Sequence, residues 1–525
     1  MTAHERRLIA LLSRPGAYPH PAGRVERRET HVSHVFLAGD WAYKLKKPVK
    51  FPFLDASTLA RRKIFCLLEL RLNRRLAPWV YWDMVPVVES PAGLRLGGRG
   101  KAVEWLVRMR RLPEDRMLDG LVARRAVGVR DMRALAGRLV PFFKRAARGG
   151  RIRRYGTPEA VGRLVLGNLE ECRPFLGRLF GERDRAAIDS AYRQYLALHQ
   201  PVLERRAREG WIIDGHGDLR CENICLASRV SVFDCVEFEP AFRCADVVND
   251  FGFLLMDLEF RGRADLASAL LSAYRSRMRD RDLDALLAFY KCHRSLVRGK
   301  VRGFAWMQHP RTSAGRTIRG LSRRHFALAR RYAEEFAPPR LIAVGGLIGT
   351  GKSTLARGLA ERLGAVWLRT DEIRLGDFAH LRRPGQGFAR GLYAPAVSAR
   401  VYARLIRRAE QALRAGRSVV CDGTFSKSEG RLALRGAARR HGASFLYIEC
   451  AVPKALALRR LADRARAGTD ISEARPEHYE RLLAGYEPVR GLRAGREWIR
   501  VSGRPAPEAM VEAGMRALRR AWGVR

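Results

Sequence analysis

The sequence predicts a multidomain protein in which an α+β domain of two lobes precedes an α/β domain with a parallel sheet. The chain has 525 residues, more than one ordinary hydrophobic core accommodates. A charged helical stretch ends at Ala337-Pro338-Pro339-Arg340, and an apolar strand begins directly after it. The hydrophobic pattern also differs on the two sides of this segment. We therefore predict two domains, residues 1–337 and residues 338–525.

The first domain begins with a small lobe that is rich in strands. Two apolar segments, 35–37 and 41–45, flank a turn at Gly39 as a hairpin, and residues 105–109 alternate as a later strand. Between them, Ser57 is expected to cap a helix that ends near Leu76. From residue 113 to residue 336 the pattern is mostly helical, with strands near Ile212 and Val232. A larger helical lobe therefore follows the small one.

The second domain alternates strands with helices. Apolar strands are predicted at 341–344, 366–368, 419–421 and 445–448, and helices at 352–363, 397–415 and 454–467. This alternation is typical of a parallel sheet with helices on both faces.

Cysteine usage and hydropathy limit the class of protein. The nine cysteines show no paired framework, and the spacing of Cys221, Cys225, Cys235 and Cys244 lacks the Cys-x2-Cys pairs of a zinc site. The first residues are typical neither of a signal peptide nor of a membrane-spanning helix. We expect a cytoplasmic protein with no membrane partner, and the sequence leaves its oligomeric state open.

The formal net charge of +46 raises nucleic acid as a partner. The excess is spread along the chain, since residues 1–340 carry 65 basic and 37 acidic side chains and residues 341–525 carry 35 and 17. Arginine supplies 88 of the 100 basic side chains, which indicates a compositional bias more than a designed patch. A diffuse positive surface attracts any polyanion without specifying one, so nucleic acid is kept only as an alternative.

A first set of reactive residues follows Ile212. The segment from His216 to Asn223 reads H-G-D-x-x-x-x-N, and Asp234 ends the next short apolar run. Phosphoryl transfer needs a carboxylate that accepts the proton of the acceptor hydroxyl, and oxygen ligands for magnesium. We predict Asp218 as the base and Asn223 and Asp234 as Mg²⁺ ligands.

Lys44 is the predicted ligand of the ATP phosphates in this set. It lies on the strand Trp41-Ala42-Tyr43-Lys44, on the face opposite the two aromatic side chains. Glu69, on the following helix, is the expected partner that holds the lysine in place. Lys46 and Lys47 are alternative candidates for the ATP lysine, and a solvated helix face is the alternative for Glu69.

At these residues the chain resembles the aminoglycoside phosphotransferase and choline kinase group, over about residues 20 to 335. The resemblance implies a protein-kinase-like bilobal fold and a small-molecule hydroxyl acceptor. No G-x-G-x-x-G loop precedes Lys44, and residues 30–33 are the candidate cover for the phosphates. Asp234-Cys235-Val236 stands where protein kinases have Asp-Phe-Gly. Both departures favour a small-molecule kinase over a protein kinase.

Whether the acceptor is a polycation depends on the role of six acidic residues that follow Asp234. They are Glu237, Glu239, Asp246, Asp250, Asp257 and Glu259. They form either an acidic wall that would attract a polycation or pairs with Arg243 and Arg261 that hold the lobe together. The sequence leaves both alternatives open.

A second set begins at residue 346, where G-x-x-x-x-G-K-S lies between a predicted strand and a predicted helix. This context is the one that a P-loop requires. The residues assigned to this ATP site are Gly346, Gly349, Thr350, Gly351, Lys352, Ser353 and Thr354. Backbone amides converge on the phosphates in such a loop, while Lys352 reaches the β and γ groups and Ser353 binds magnesium.

The α/β pattern places two further groups at the carboxyl edge of the sheet, where open α/β folds bind ligands. Asp371 and Arg374 share a helical face after the second strand, as a base and a cation side by side. Asp422 ends an apolar strand and is the candidate Walker B ligand of Mg²⁺.

Arginines after the fourth strand are candidates for a lid. Arg459, Arg460 and Arg464 precede the segment 470–474, and we predict that Arg459 and Arg464 close over the transferring phosphate as catalytic groups. A solvated helix face is the alternative for any one of them.

This half resembles the P-loop kinase group that includes zeta toxins, chloramphenicol phosphotransferase and the kinase part of polynucleotide kinases, over about residues 340 to 500. The resemblance assigns orientation or deprotonation of the acceptor hydroxyl to Asp371 and substrate anchoring to Arg374. The whole chain resembles bacterial fusions of an aminoglycoside phosphotransferase-like domain with a P-loop kinase.

The sequence therefore predicts an ATP- and Mg²⁺-dependent phosphotransferase with two kinase-type centres that act on hydroxyl groups of small molecules. Two alternatives are kept. One domain only senses nucleotide and regulates the other, or the chain is an ATP-driven nucleic-acid-binding or polynucleotide-kinase-type protein. Neither acceptor is specified.

Overall fold

The computed structural model describes residues 2–51, 54–91, 93–381, 391–467 and 475–524. Its contacts divide the chain into two compact units. The first unit comprises Met1–Thr157 and Arg206–Arg294, and the second comprises Pro158–Arg205 and Ser295–Arg525. Two helical stretches that precede the predicted border at residues 337 and 338 thus pack with the later part of the chain.

The helices and strands follow in chain order. Residues 2–157 contain α1 (Ala3–Leu12), β1 (Glu26–Glu29), β2 (Ser33–Ala38), β3 (Trp41–Lys46), β4 (Lys50–Phe51), β5 (Leu54–Asp55), α2 (Leu59–Asn73), β6 (Tyr81–Ser90), β7 (Gly93–Leu96), β8 (Lys101–Arg110), α3 (Leu118–Ala123), α4 (Val129–Arg145) and α5 (Gly150–Arg153). Residues 158–336 contain α6 (Pro158–Glu170), α7 (Glu182–Arg208), β9 (Ile212–Asp214), β10 (Ile224–Leu226), β11 (Val230–Val232), α8 (Pro240–Arg243), β12 (Cys244–Asp246), α9 (Val247–Phe260), α10 (Ala264–Arg275), α11 (Leu283–Gln308) and α12 (Ser313–Phe336). The remainder contains β13 (Arg340–Gly345), α13 (Lys352–Leu363), β14 (Val366–Arg369), α14 (Thr370–Asp377), α15 (Pro395–Arg414), β15 (Val419–Asp422), α16 (Ser428–Arg440), β16 (Ser444–Ala451), α17 (Lys454–Ala467), α18 (Tyr479–Ala484), β17 (Trp498–Ser502) and α19 (Pro507–Ala521).

The first unit opens with a six-stranded antiparallel sheet in the order β1-β2-β3-β8-β6-β7. The predicted hairpin is confirmed, with Ala38 of β2 opposite Trp41 of β3. Helix α2 packs against β8 and β6 and brings Glu69 to the sheet. The predicted cap of this helix is wrong by one residue, because Thr58 accepts the N–H of Arg61 while the Ser57 hydroxyl donates to Asp55.

The helical part of the first unit is organised around α9. This helix is buried on all sides, since every residue of it except Glu259 is buried. A buried helix of this kind fixes the loops that contact it. Two short antiparallel pairs, β9 with β12 and β10 with β11, place residues 215–223 and 234 next to α9 and the sheet.

The second unit contains a five-stranded parallel sheet in the order β14-β15-β13-β16-β17. Helices α13 and α19 cover one face through residues such as Leu355 and Leu518, and α15 and α16 cover the other through Leu405 and Leu434. The predicted α/β architecture is confirmed, and β17 adds a strand that the sequence did not predict. Leu198 of α7 lies in the first of these cores.

Within the described ranges, no helix combines the length and the apolar character that crossing a lipid bilayer requires.

Candidate active sites

The H-G-D loop of the first unit is held by two carboxylates of α9. Asp250 accepts the backbone N–H groups of His216 and Gly217, the latter at 2.9 Å. Asp257 accepts the N–H of Cys221 at 3.0 Å, farther along the loop. Hydrogen bonds to charged acceptors are stronger than neutral ones, so α9 fixes both ends of the loop that carries Asp218.

The His216 ring lies inside this loop as a neutral imidazole. Its Nε2 lies 3.0 Å from the carbonyl oxygen of Phe233, and its Nδ1 accepts the backbone N–H of Asp218 at 3.3 Å. One nitrogen therefore donates and the other accepts. Burial lowers the pKa of His216, which favours the same neutral form.

Asp218 and Asn223 lie together, as their predicted roles require. The amide nitrogen of Asn223 donates to Asp218 Oδ2 at 3.0 Å, and no hydrogen bond from the described residues reaches the amide oxygen of Asn223. Arg220 binds both Asp218 oxygens, at 2.8 and 2.9 Å, and also pairs with Glu222. Arg220 was not predicted, because an arginine two residues after the predicted base carries no signal in a chain with 88 arginines.

Asp234 lies at a strained turn beside Lys44. Its φ of +62° is unusual for a residue other than glycine, and its backbone N–H donates to the Tyr81 hydroxyl at 3.2 Å. Lys44 Nζ lies 2.7 Å from Asp234 Oδ1 and 2.8 Å from Glu69 Oε1. The structure thus brings together the three residues predicted to act on ATP and its metal.

Lys46 completes a buried charge network that the sequence analysis did not foresee. Its Nζ lies 2.6 Å from Glu69 Oε2 and also pairs with Glu237. Burial lowers the pKa of both Lys44 and Lys46, but the neighbouring carboxylates outweigh it and hold each pKa above its usual value. The same contacts hold the pKa of Glu69 below its usual value despite burial. All three side chains are therefore charged at neutral pH.

The six acidic residues after Asp234 serve internal contacts, the second of the two alternatives above. The pairs and contacts are Glu237 with Lys46, Glu239 with the N–H of Ala241, Asp246 with Arg206, Asp250 with the H-G-D loop, Asp257 with Arg261 and Glu259 with Lys291. Arg243, one of the partners named in that alternative, instead pairs with Asp214 at 2.8 Å.

The P-loop of the second unit has a backbone that only glycine fits. Gly346 and Gly349 have φ values of +138° and +76°. A Cβ at Gly346 would lie 2.3 Å from the carbonyl oxygen of Cys450, and one at Gly349 would lie 2.6 Å from that of Ala457. The loop therefore packs closely against the backbone of β16 and of α17. It ends at Gly351, and α13 begins with Lys352 and includes Ser353 and Thr354 in its first turn.

Thr350 is buried and holds the loop by its side chain and its backbone. The Thr350 hydroxyl donates to the carbonyl of Leu347 at 2.8 Å, and the Cys450 thiol donates to the backbone carbonyl of Thr350 at 3.1 Å. The backbone amides of the loop thus have a fixed arrangement at the N-terminus of α13, which is a site for an anion such as a phosphate.

Asp422 has the environment of a magnesium ligand. Burial raises the pKa of Asp422, while the charge of Lys352 and a hydrogen bond with Ser353 lower it. Its Oδ1 is buried and has no hydrogen-bond partner in the part of the chain that the structure describes. An oxygen without a donor, next to the Ser353 hydroxyl, fits a divalent cation, since Mg²⁺ uses one or two carboxylates together with substrate phosphates.

Asp371 lies in the first turn of α14, and its side chain forms no hydrogen bond or ion pair with another described residue. Burial is the main cause that raises the pKa of Tyr402, and the negative charge of Asp371 raises it further. The charge of Asp371 also acts on Asp422. The predicted base therefore lies near both Asp422, the predicted Mg²⁺ ligand, and Tyr402.

Arg374 is buried and ties α14 to the segment that precedes α15. Its guanidinium donates to the carbonyl of Leu392 and to the Ser398 hydroxyl at 3.4 Å, and it lies 4.7 Å from the ring centre of Tyr393. These contacts are internal, and substrate anchoring by Arg374 stays a prediction.

The sequence did not predict a pair of hydroxyl groups, those of Tyr402 on α15 and of Thr424 just after β15. Tyr402 accepts the backbone N–H of Phe425 at 3.1 Å and lies 3.2 Å from the Thr424 hydroxyl. The carbonyl of Thr424 accepts the N–H of Gly346, which joins this turn to the P-loop. Phe425 has a φ of +43°, so the turn is strained at a buried position.

The lid arginines lie on α17, which packs against the P-loop. Arg459 is exposed and Arg464 is half-buried. Arg460 lies nearer the loop, since its Nη1 is 3.6 Å from the place of a Cβ at Gly351. The predicted lid segment 470–474 lies outside the described residues. Catalytic roles for Arg459 and Arg464 stay predictions.

No group of three or more His, Cys, Asp or Glu side chains suited to a metal ion occurs in the described ranges. Each proposed magnesium site instead combines a carboxylate with a neutral oxygen: Asp234 with Asn223, and Asp422 with Ser353.

The geometry defines a P-loop nucleotide-binding domain of the kinase type, joined to a protein-kinase-like domain. Residues 341–489 match the sequence family described as AAA domain. An uncharacterized protein of Mycobacterium tuberculosis is 33% identical over 451 residues, which cover 85% of this chain and 88% of the relative. A Mycobacterium bovis protein matches with the same identity and coverage. The chain belongs to the family of these mycobacterial proteins.

Solved structures of kinases resemble both parts of the chain. A choline/ethanolamine kinase family protein from Mesorhizobium loti covers 63% of this chain and 100% of its own, with 14% identity and a TM-score of 0.38. A gluconokinase from Sinorhizobium meliloti covers 34% and 91%, with 17% identity and a TM-score of 0.28. The Mycobacterium tuberculosis APS kinase, solved with AMPPNP and APS, covers 34% and 98%, with 20% identity and a TM-score of 0.25.

Proposed function

We propose that this chain is an ATP- and Mg²⁺-dependent phosphotransferase with two centres, each of which acts on a hydroxyl group of a small molecule. The observation that supports this most is that each unit contains its own complete set of groups. Each has a lysine for the phosphates, an oxygen pair for magnesium, and a separate carboxylate for the acceptor.

In the first centre, Asp218 is the acceptor-side carboxylate. The acceptor oxygen forms a bond to the γ-phosphorus, the bond to the β–γ bridging oxygen breaks, and ADP leaves with that oxygen. The hydroxyl proton passes to Asp218. Arg220 binds Asp218 through both oxygens, so one of these bonds is exchanged for the acceptor hydroxyl. Lys44 orients the phosphates, and Asn223 and Asp234 would hold the metal.

In the second centre, Asp371 is the carboxylate that accepts the proton of the acceptor hydroxyl, as Asp218 is in the first. Lys352 and the P-loop amides bind the phosphates, and Ser353 and Asp422 would hold the metal. The chemistry that Mg²⁺ would supply there is neutralisation of the phosphate charge. Arg460 lies where it would add a further positive charge near Gly351.

The acceptor of the first centre is proposed to be a neutral or anionic small molecule. The carboxylates that would attract a polycation are instead bound to basic side chains and backbone amides of the first unit. A polynucleotide end stays an alternative for the second centre, and the test below includes it.

The test measures ADP release from ATP and Mg²⁺ with a pool of cell metabolites, and separately with single-stranded oligonucleotides. Asp218→Asn is expected to lower one part of the metabolite-stimulated rate by about 100-fold or more, because a positioned base contributes about 10² to 10⁴. Lys352→Ala is expected to remove the remaining part. Arg357→Ala, an exposed residue of α13, serves as the control. Rates that only oligonucleotides stimulate would favour the nucleic-acid alternative. A variant with wild-type turnover would show that its unit senses nucleotide only.

A further inference from the structure

Two lysines of β3 share one buried glutamate. Lys44 and Lys46 lie two residues apart and so face the same side of the sheet. Lys44 Nζ lies 2.8 Å from Glu69 Oε1, and Lys46 Nζ lies 2.6 Å from Glu69 Oε2. The Glu69 side chain has no exposed surface. Each of its oxygens is therefore bound by a different ammonium group.

The other contacts of the two lysines differ in their access to solvent. Lys44 binds Asp234, whose side chain is 48% exposed. Lys46 binds Glu237, whose side chain is 10% exposed, and Lys46 itself is 6% exposed. The ion pair of Glu69 with Lys44 thus lies beside the open site proposed for ATP, whereas the ion pair of Glu69 with Lys46 is enclosed in the protein.

Binding of ATP is expected to change only the ion pair between Lys44 and Glu69. The phosphates need the positive charge of Lys44, and the metal needs the carboxylate of Asp234. A buried carboxylate that loses its partner costs several kcal/mol, so Glu69 needs a second cation once Lys44 interacts with the phosphates. Lys46 is buried and already in contact with Glu69, so it can serve as this second cation.

We propose that Lys46 is a positioning residue of the first centre, which holds Glu69 and the Asp234–Glu237 segment in place while Lys44 turns to the phosphates of ATP. This inference rests on the proposed function of that centre. It also gives different roles to Lys44 and Lys46, two of the three lysines that the sequence left as candidates for the ATP lysine. Lys46 does not touch ATP, because its ammonium is enclosed between Glu69 and Glu237.

Lys47 provides a matched control. It is the next residue of the chain, and it pairs with Glu29, whose side chain is half-exposed. Its charge therefore lies outside the network, and the proposal gives it no part in ATP binding.

The test uses the full chain with Lys352→Ala, so that the second centre does not contribute ATP binding. In this background we compare Lys46→Met combined with Glu237→Met, and Lys47→Met alone. The double substitution removes one positive and one negative charge together and so leaves no unpaired buried ion. The measurements are the thermal unfolding midpoint and the Kd for a nonhydrolysable ATP analogue with Mg²⁺.

The double variant is expected to keep its unfolding midpoint within a few degrees and to bind the analogue about tenfold more weakly, as the loss of a charge-assisted hydrogen bond predicts. Lys47→Met should bind like the background. Equal affinity in the double variant would overturn the proposal. Loss of cooperative unfolding would overturn it too, since the pair would then serve folding rather than Glu69. A background protein without affinity for the analogue would instead contradict the proposed function of the first centre.

Discussion

At the scale of single residues, Asp218, the proposed base of the first centre, has hydrogen-bond partners on both of its carboxylate oxygens in this structure. Arg220 binds Asp218 through two hydrogen bonds, and Asn223 adds a third. These three bonds orient the carboxylate but occupy both of its oxygens. If Asp218 is the base that we propose, one of these bonds is exchanged for the acceptor hydroxyl during the reaction.

His199 of α7 gives a prediction on pH. Burial, together with the positive charges of Arg340 and Arg519, lowers the pKa of His199 to about 4, although the hydrogen bond to the carbonyl of Tyr195 raises it. The unfolded chain has a histidine pKa of about 6.5. Between these values the unfolded state binds a proton that the folded state does not, so stability rises with pH.

We therefore expect the second unit to lose stability as the pH falls from 6.5 to 4, by up to about 1.4 kcal/mol per pH unit from this group. The measurement is chemical denaturation at several pH values for the wild type and for His199→Gln. The difference between the two should grow over this range and be constant above it. A constant difference throughout would contradict the assigned environment of His199.

Residue roles could be predicted only where a spacing has a known chemical meaning. Asp218, Asn223 and Asp234 were proposed in this way, as were Lys352, Ser353 and Asp422, and their roles stay predictions. Glu69 followed from its helix. The contacts of Lys46, Arg220, Arg460 and Thr424 could not be predicted, because they depend on which strands and helices meet, and no local pattern records that.

At the scale of elements, α9 shows why an acidic segment is a poor guide to a substrate. Asp250 and Asp257 of this helix accept backbone N–H groups of the H-G-D loop. The sequence showed the charges but not the amides that they bind. Four of the five strands of the parallel sheet, in contrast, were predicted to within a few residues, since short apolar runs are a local signal, and only β17 was missed.

Helix α7 contains a proline whose cost is offset by a distant residue of the same unit. Pro201 has no N–H, so the carbonyl of Ala197 lacks its usual partner in the helix. Arg519 of α19 donates to this carbonyl at 2.8 Å and to that of Leu198 at 3.1 Å. The guanidinium of Arg519 thus supplies the hydrogen-bond donor that the carbonyl of Ala197 lacks within the helix.

Arg519→Met is expected to destabilise the second unit by about 1 to 3 kcal/mol, the cost of a buried polar group left without a partner. Arg520→Met is the matched control, because this neighbouring side chain is exposed, and it should change stability by less than about 0.5 kcal/mol. Denaturant unfolding monitored by circular dichroism measures both. Equal effects of the two substitutions would show that the guanidinium of Arg519 does not offset the proline.

At the scale of the whole molecule, the division into units differs from the border that the sequence indicated. The proline pair at 338 and 339 marks the start of the parallel sheet, and β13 begins at Arg340 as expected. The stretches Pro158–Arg205 and Ser295–Phe336 nevertheless pack with the second unit. Hydrophobic periodicity shows that a helix has an apolar face but not which core buries it. The site residues of each centre all fall within one unit.

The central claim is that both units transfer phosphate to organic acceptors. The most direct measurement follows the γ-phosphate of labelled ATP in the presence of Mg²⁺ and a pool of cell metabolites, for the wild type, Asp218→Asn and Asp371→Asn. Our account predicts two sets of labelled organic phosphates, one missing from each variant. Label that appears only as inorganic phosphate, or product sets that neither substitution changes, would contradict it.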